Sequence, residues 1–233
     1  PSAQGACTID VAADTYTDTA NNANNVATQF NWTFDTVVPT LSSVSIASNN
    51  STNTLAKVNE VITLTMTASE TIQTPVVTFQ SGGAAITDSS ITYNNTSGNT
   101  WTAAYTANSS DTNGPVSYSI AFTDLAGNTG IAVTSGSGSV TFDKTSPTMT
   151  ITASEVSDGA TSNDTTLSLT FTSSEATSNF IQSDITLGNG TLSNFTVVSS
   201  TVYTATFTPS AQGACTIDVA ADTYTDTANN ANN

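Results

Sequence analysis

The chain has 233 residues, a formal net charge of −16, two Lys+Arg, eighteen Asp+Glu and no His. Its two cations are Lys57 and Lys144, so Arg is absent. Without His or Arg, Ser/His/Asp and Cys/His catalytic arrangements and His-based metal sites are excluded, and the chain is read as non-enzymatic. So acidic a surface repels phosphates and anionic headgroups, which argues against nucleic acid and membrane surfaces as partners and leaves cations. Charged residues are only 9% of the chain, against about 25% in ordinary soluble domains. Thr, Ser, Asn and Ala fill the difference, and Thr favours strands. No apolar run reaches the roughly 18 residues of a membrane span, so no membrane insertion is expected in this segment.

In chain order, residues 1–25 come first and recur without a change at 209–233, a period of 208 residues. Cys7 and Cys215 are therefore one position seen twice. Phe30, Trp32 and Phe34 alternate in a strand that ends at Asp35. The run Phe34-Asp35-Thr36-Val37-Val38-Pro39-Thr40 returns as Phe142-Asp143-Lys144-Thr145-Ser146-Pro147-Thr148, 108 residues on. The period places the next copy a further 100 residues along. Two modules per repeat follow, each near the ~100 residues of an immunoglobulin-type sandwich.

Within the first module Ile62, Leu64, Met66 and Ala68 alternate with threonines and lead to Glu70. Trp101, Ala103 and Tyr105 make a second alternating run, and Tyr118, Ile120 and Phe122 a third. Asp124-Leu125-Ala126-Gly127-Asn128 then forms a loop, and Val140 with Phe142 closes the module. The second module repeats the order. Leu167, Leu169 and Phe171 lead to Glu175, followed by Tyr203, Ala205 and Phe207, then Cys215, Ile217 and Val219, then Asp226-Thr227-Ala228-Asn229-Asn230. Period-2 alternation with Thr/Ser outward predicts antiparallel sheets with one wet face. The alternation also places Cys215 in the core as a free thiol.

Residues 1–35 are thus read as the closing strands of a preceding module, a copy of 209–233 plus a final strand. Residues 36–143 are a complete module, and 144–233 a module lacking its last strand. Both ends look like cuts in something longer. Strand exchange between subunits would repair them, but it would supply the Cys215–Val219 strand twice, so a continuous covalent array is the simpler reading. The Asn-x-Ser/Thr sequons, among them Asn50, are read as products of composition.

The order of these landmarks resembles the bacterial immunoglobulin-like domains strung in tandem in giant surface adhesins and extracellular fibre proteins. The Phe-Asp-x-x-x-Pro-Thr linkers, the Ala68-Ser69-Glu70 and Ser173-Ser174-Glu175 strand ends and the Asp124–Asn128 loop carry the resemblance, as does Asp158-Gly159-Ala160-Thr161-Ser162-Asn163-Asp164. It implies an all-β fold of tandem immunoglobulin-like β-sandwiches arranged as an extended rod, outside the cell or on its surface. The implied function is structural or adhesive, as spacer modules of a large adhesin. The alternative is the body of a self-associating fibre or sheath. Partners would be neighbouring identical repeats in the same or adjacent chains.

The resemblance also implies interdomain Ca²⁺ that stiffens the rod. One candidate set is Asp35, Glu70, Asp124 and Asn128. The other is Asp143, Glu175, Asp226 and Asn230, with Asp18 repeating Asp226. Asp and Asn equally favour turn positions, so the residues alone leave turn capping open beside metal ligation. Asn229 stands where the first module has Gly127, and a different turn is expected there.

Overall fold

The computed structural model describes residues 3–88 and 90–233. An amino-terminal hairpin pairs β1 (Gly5–Ile9) antiparallel with β2 (Phe30–Phe34), Cys7 lying opposite Trp32. Then come β3 (Leu41–Ser48), β4 (Leu55–Ala56), β5 (Val61–Ala68), β6 (Val76–Ser81) and β7 (Ala84–Ala85). β8 (Thr92–Ser97), β9 (Thr100–Thr106), β10 (Gly114–Ala121) and β11 (Thr141–Phe142) complete the first sandwich. One of its sheets runs β3-β5-β9-β8 and the other β4-β11-β10-β6-β7. That is the immunoglobulin arrangement, in which alternate hairpins switch sheets. β4 pairs parallel with β11, so the start of the module is tied to its last strand.

The sequence pattern explains the layers. In β5 every second residue is buried, with Ile62, Leu64 and Met66 fully covered and the threonines between them only partly so. Tyr105 of β9 packs on Phe79 of β6 with ring centroids 4.8 Å apart and the ring planes tilted by 44°, which joins the two sheets. Val140 and Phe142 are each 1% exposed, so the last strand seals the core. Burying a side chain of that size stabilises by about 1.5–3 kcal/mol.

The second sandwich uses β12 (Met149–Ala153), β13 (Leu167–Ser173), a 3₁₀ turn at Gln182–Asp184, β14 (Ile185–Gly188), β15 (Gly190–Val197), β16 (Val202–Pro209) and β17 (Thr216–Val219). Its first sheet, β12-β13-β16-β15, has the same order as β3-β5-β9-β8. Its other sheet holds only β14 and β17. Phe180 organises this core, meeting Phe171, Phe195, Tyr203 and Tyr224 at centroid distances of 4.9–5.9 Å.

Cys215 departs from the expected position. It is exposed, just ahead of β17, with its thiol near the Asn189 carbonyl. Ile217 and Val219 are only half-buried. Among the described residues no strand lies on the outer edge of β17, and a thiol beside an open edge is not enclosed. Cys7 is half-buried against β2, and both cysteines are free.

The repeated segment appears in two settings. Tyr224 is 1% exposed, whereas the same tyrosine at position 16 is 64% exposed. The loop around each is nevertheless the same. Asn232 Oδ1 accepts the amides of Thr223 and Tyr224 at 2.8 and 2.9 Å. Asn24 Oδ1 accepts those of Thr15 and Tyr16 at 2.8 and 3.0 Å. The loop is therefore held by its own asparagine, not by the core beneath it.

Candidate metal centres at the module junctions

Each linker Asp is positioned by its own turn. Val37 donates its amide to Asp35 Oδ1 at 2.9 Å, and Thr145 donates to Asp143 Oδ1 at 3.0 Å. Five residues after each Asp, the threonine of the linker docks on the next module. Thr40 donates its amide to Ser69 Oγ at 3.0 Å and accepts the Ser69 amide at 2.8 Å. Thr148 and Ser174 repeat both bonds at 2.9 Å. This serine immediately precedes Glu70 or Glu175, so the reciprocal pair fixes where the glutamate enters the pole.

The loop aspartate arrives from the opposite sheet. Asp124 Oδ1 accepts the amides of Gly127 and Asn128, and its Oδ2 accepts Asn128 Nδ2 at 2.8 Å. Asp226 holds Asn230 the same way, both bonds at 2.8 Å. Each asparagine also donates Nδ2 to the linker carbonyl, Asn128 to Asp35 O at 3.3 Å and Asn230 to Asp143 O at 3.1 Å. Asn128 and Asn230 therefore staple each linker to the loop of the module it enters. The turn expected to differ at Asn229 is the same turn. Gly127 has φ +99° and Asn229 φ +67°, and Asn is among the few side chains that tolerate left-handed backbone.

These constraints bring Asp35, Glu70 and Asp124 together, with one carboxylate oxygen from each lying within 4.8 Å of the others. Asp143, Glu175 and Asp226 form the equivalent cluster. The loop aspartates are buried and the other four half-buried. Asp18 keeps the loop bonds, accepting Asn22 N and Nδ2 at 2.9 Å. It belongs to no group of three carboxylates among the described residues.

Crowding perturbs the glutamates. Burial, reinforced by the charges of Asp143 and Asp226, pushes the Glu175 carboxyl up to about 7. Glu70 is raised for the same reasons, desolvation first and then Asp35 and Asp124. Burial also raises Asp124, but donors from Asn128, Gly127 and Ala126 outweigh it and hold that carboxyl below its usual range. The cluster is therefore repulsive as it stands, with charges fixed in place by hydrogen bonds.

Around the second cluster lies a contact between modules that sequence reasoning missed. Lys57 Nζ donates to Asn229 O at 2.6 Å, and Asn50 Nδ2 donates to Ala228 O at 2.9 Å. Asn229 Nδ2 returns bonds to Asn50 Oδ1 and Ser51 Oγ at 3.2 and 3.0 Å. Glu60 holds the platform, accepting Asn50 Nδ2 and the Lys57 amide at 2.9 Å each. Lys144, in the linker, donates Nζ to the carbonyls of Ser109 and Asp111 at 2.9 and 2.7 Å. Both cations of the chain thus sit at one junction. Their scarcity was the available signal. Asn50 is 6% exposed, so its sequon lies inside the contact.

Fold and junctions together define a tandem immunoglobulin-like protein. Residues 143–233 match the family model described as bacterial Ig-like domain, and that segment is a bacterial immunoglobulin-like domain. Domains of this kind are structural or adhesive modules, typically extracellular. Among solved structures, the titin Ig tandem domains A164-A165 are 14% identical, with 75% of this chain and 82% of that one covered and a TM-score of 0.27. The titin domains z1z2, solved in complex with telethonin, are 12% identical over 76% and 84%, with a TM-score of 0.30. No curated protein matches the chain. No helix among the described residues is long and apolar enough to cross a membrane.

Proposed function

We propose that this chain is a stretch of spacer modules from a large surface adhesin, and that Ca²⁺ at the module junctions stiffens it into a rod. The observation that carries the reading is the recurrence of one carboxylate triad at both linkers, each triad drawn from a linker, a strand end and a loop. An all-oxygen donor set suits a hard cation, and Ca²⁺ accepts six to eight such ligands in flexible geometry. Asp35, Glu70 and Asp124 would hold one ion, and Asp143, Glu175 and Asp226 another. Asn128 and Asn230 keep their Nδ2 groups on the linker and orient the set. An ion there would offset the repulsion that raises both glutamates and tie linker to module.

The lysine contacts add stiffness that needs no metal, because they bridge the second junction directly. Affinities of about 10⁻⁴–10⁻³ M are usual for extracellular modules. Thermal melts at low salt in millimolar calcium and in chelator test the reading. A higher midpoint in calcium, with longer particles by small-angle scattering, is the expected result. Identical midpoints and profiles would remove calcium from the account.

The alternative reading is a self-associating fibre or sheath built from the same modules. Electron microscopy of secreted material separates single rods from laterally or longitudinally joined ones.

A further inference from the structure

We infer that Ser173 and Tyr224 hold a buried water in the core of the second module, at a site the first module does not have. Ser173 is 3% and Tyr224 1% exposed, and neither side-chain oxygen has a hydrogen-bond partner among the described residues. Their backbones are already served, Ser173 donating its amide to Thr201 O at 2.8 Å and Tyr224 to Asn232 Oδ1 at 2.9 Å. Only the two hydroxyls are left over. Burial raises the Tyr224 hydroxyl and Ser173 acts against that rise, so the two oxygens are neighbours. They nevertheless stand outside direct hydrogen-bonding geometry. A buried hydroxyl with no partner forfeits the bonds it made in water, and an internal water with two to four polar partners restores them.

The first module shows what the fold itself requires at these positions. Ser173 stands two residues before Glu175, and Tyr224 two before Asp226; at the same offsets from Glu70 and Asp124 are Ala68 and Phe122. Both are buried, each 4% exposed, and neither side chain has a polar atom. Ile72 and Thr177 make the same bridge to the loop aspartate, and again the second module has a hydroxyl where the first has hydrocarbon. Thr177 is satisfied, donating Oγ1 to Asn179 Oδ1 at 3.0 Å while its carbonyl accepts the Tyr203 hydroxyl at 3.1 Å. The sandwich therefore forms around an apolar pair, and two hydroxyls in its place destabilise the core unless something binds both. Each can donate and accept, which suits water and gives a cation no charge to balance.

Ser173 ends β13, the strand that leads to Glu175, and Tyr224 lies in the segment that leads to Asp226. The water thus ties together, from inside the core, the two elements whose carboxylates meet at the second junction. It does so without a cation, so the inference is independent of the calcium reading.

The test is oxygen-17 magnetic relaxation dispersion of the full chain in chelator, which reads long-lived internal waters by their oxygen and is blind to hydroxyl-proton exchange. The parent is compared with Ser173→Ala/Tyr224→Phe, which gives the second module the residues of the first. The variant should lose a single long-lived water and keep both melting transitions, because Ala68 and Phe122 already serve in the other core. A crystal structure of the unmodified chain is the second measurement, and it does not require the variant to fold. Density for a water about 2.7–2.8 Å from both oxygens is the expected result. Equal dispersion amplitudes in the two folded proteins, or density with no water between the hydroxyls, overturns the inference. Either failure leaves the calcium reading standing, because no calcium is present, and identical melts in calcium and in chelator would leave this water in place.

Discussion

Replacing Glu175 by Gln removes one charge from a triad whose members lie within 4.8 Å of one another. A carboxyl held at about 7 in place of 4.5 corresponds to ~3 kcal/mol between its protonation states when fully withdrawn from water. Glu175 is only half-buried, and solvent screening reduces this to about 1 kcal/mol. Because the folded value is raised, the native state binds the proton more tightly than the unfolded chain does. In chelator, stability of the second module therefore falls as pH rises from about 4.5 to about 7, then levels. Glu175→Gln should abolish that fall and raise the module's melting midpoint at pH 7.5. One kcal/mol is a shift of about 4–8 °C for a domain of this size. In millimolar calcium the order should reverse, because the variant has lost a ligand. Differential scanning calorimetry of both proteins, in calcium and in chelator at pH 5 and 7.5, reads all four corners. A variant that melts lower than the parent in chelator, yet keeps the whole calcium increment, would refute the repulsive-triad reasoning.

The junction contact gives a second prediction. Lys57→Met should leave both modules' melting within about 0.5 kcal/mol, since Lys57 lies outside both hydrophobic clusters, but should broaden the intermodule distance distribution measured by spin labels. Asn232→Ala leaves the amides of Thr223 and Tyr224 without their acceptor and should cost about 1–3 kcal/mol. The same change at Asn24, in the exposed copy of that loop, should not move the cooperative melt. Phe171→Ala, at a fully buried site, should destabilise the second module by about 3–5 kcal/mol and leave the first module's transition in place. Gly190→Ala should also destabilise, because a Cβ there would fall 2.1 Å from the ring of the buried Phe207.

What the sequence determined by itself was everything that rests on a short period. Alternation in Ile62–Ala68 and Leu167–Phe171 follows from the two-residue repeat of a strand, so inward and outward faces were legible without coordinates. Repetition of Phe-Asp-x-x-x-Pro-Thr and of the loop aspartates named the residues of both triads, because a tandem fold copies its landmarks along with its strands. Only the tertiary structure decided what depends on residues distant in the chain. Ser69 and Ser174 were visible merely as neighbours of a glutamate; that they clamp Thr40 and Thr148 is a contact between residues 29 and 26 apart in the chain. Lys57 and Asn229, 172 residues apart, meet because one module ends where the next begins. Cys215 was misplaced for the same reason. Alternation assigns a face to a strand, but whether that face is covered depends on the strand beside it, and β17 carries the same local sequence as β1 whether or not anything lies against its edge.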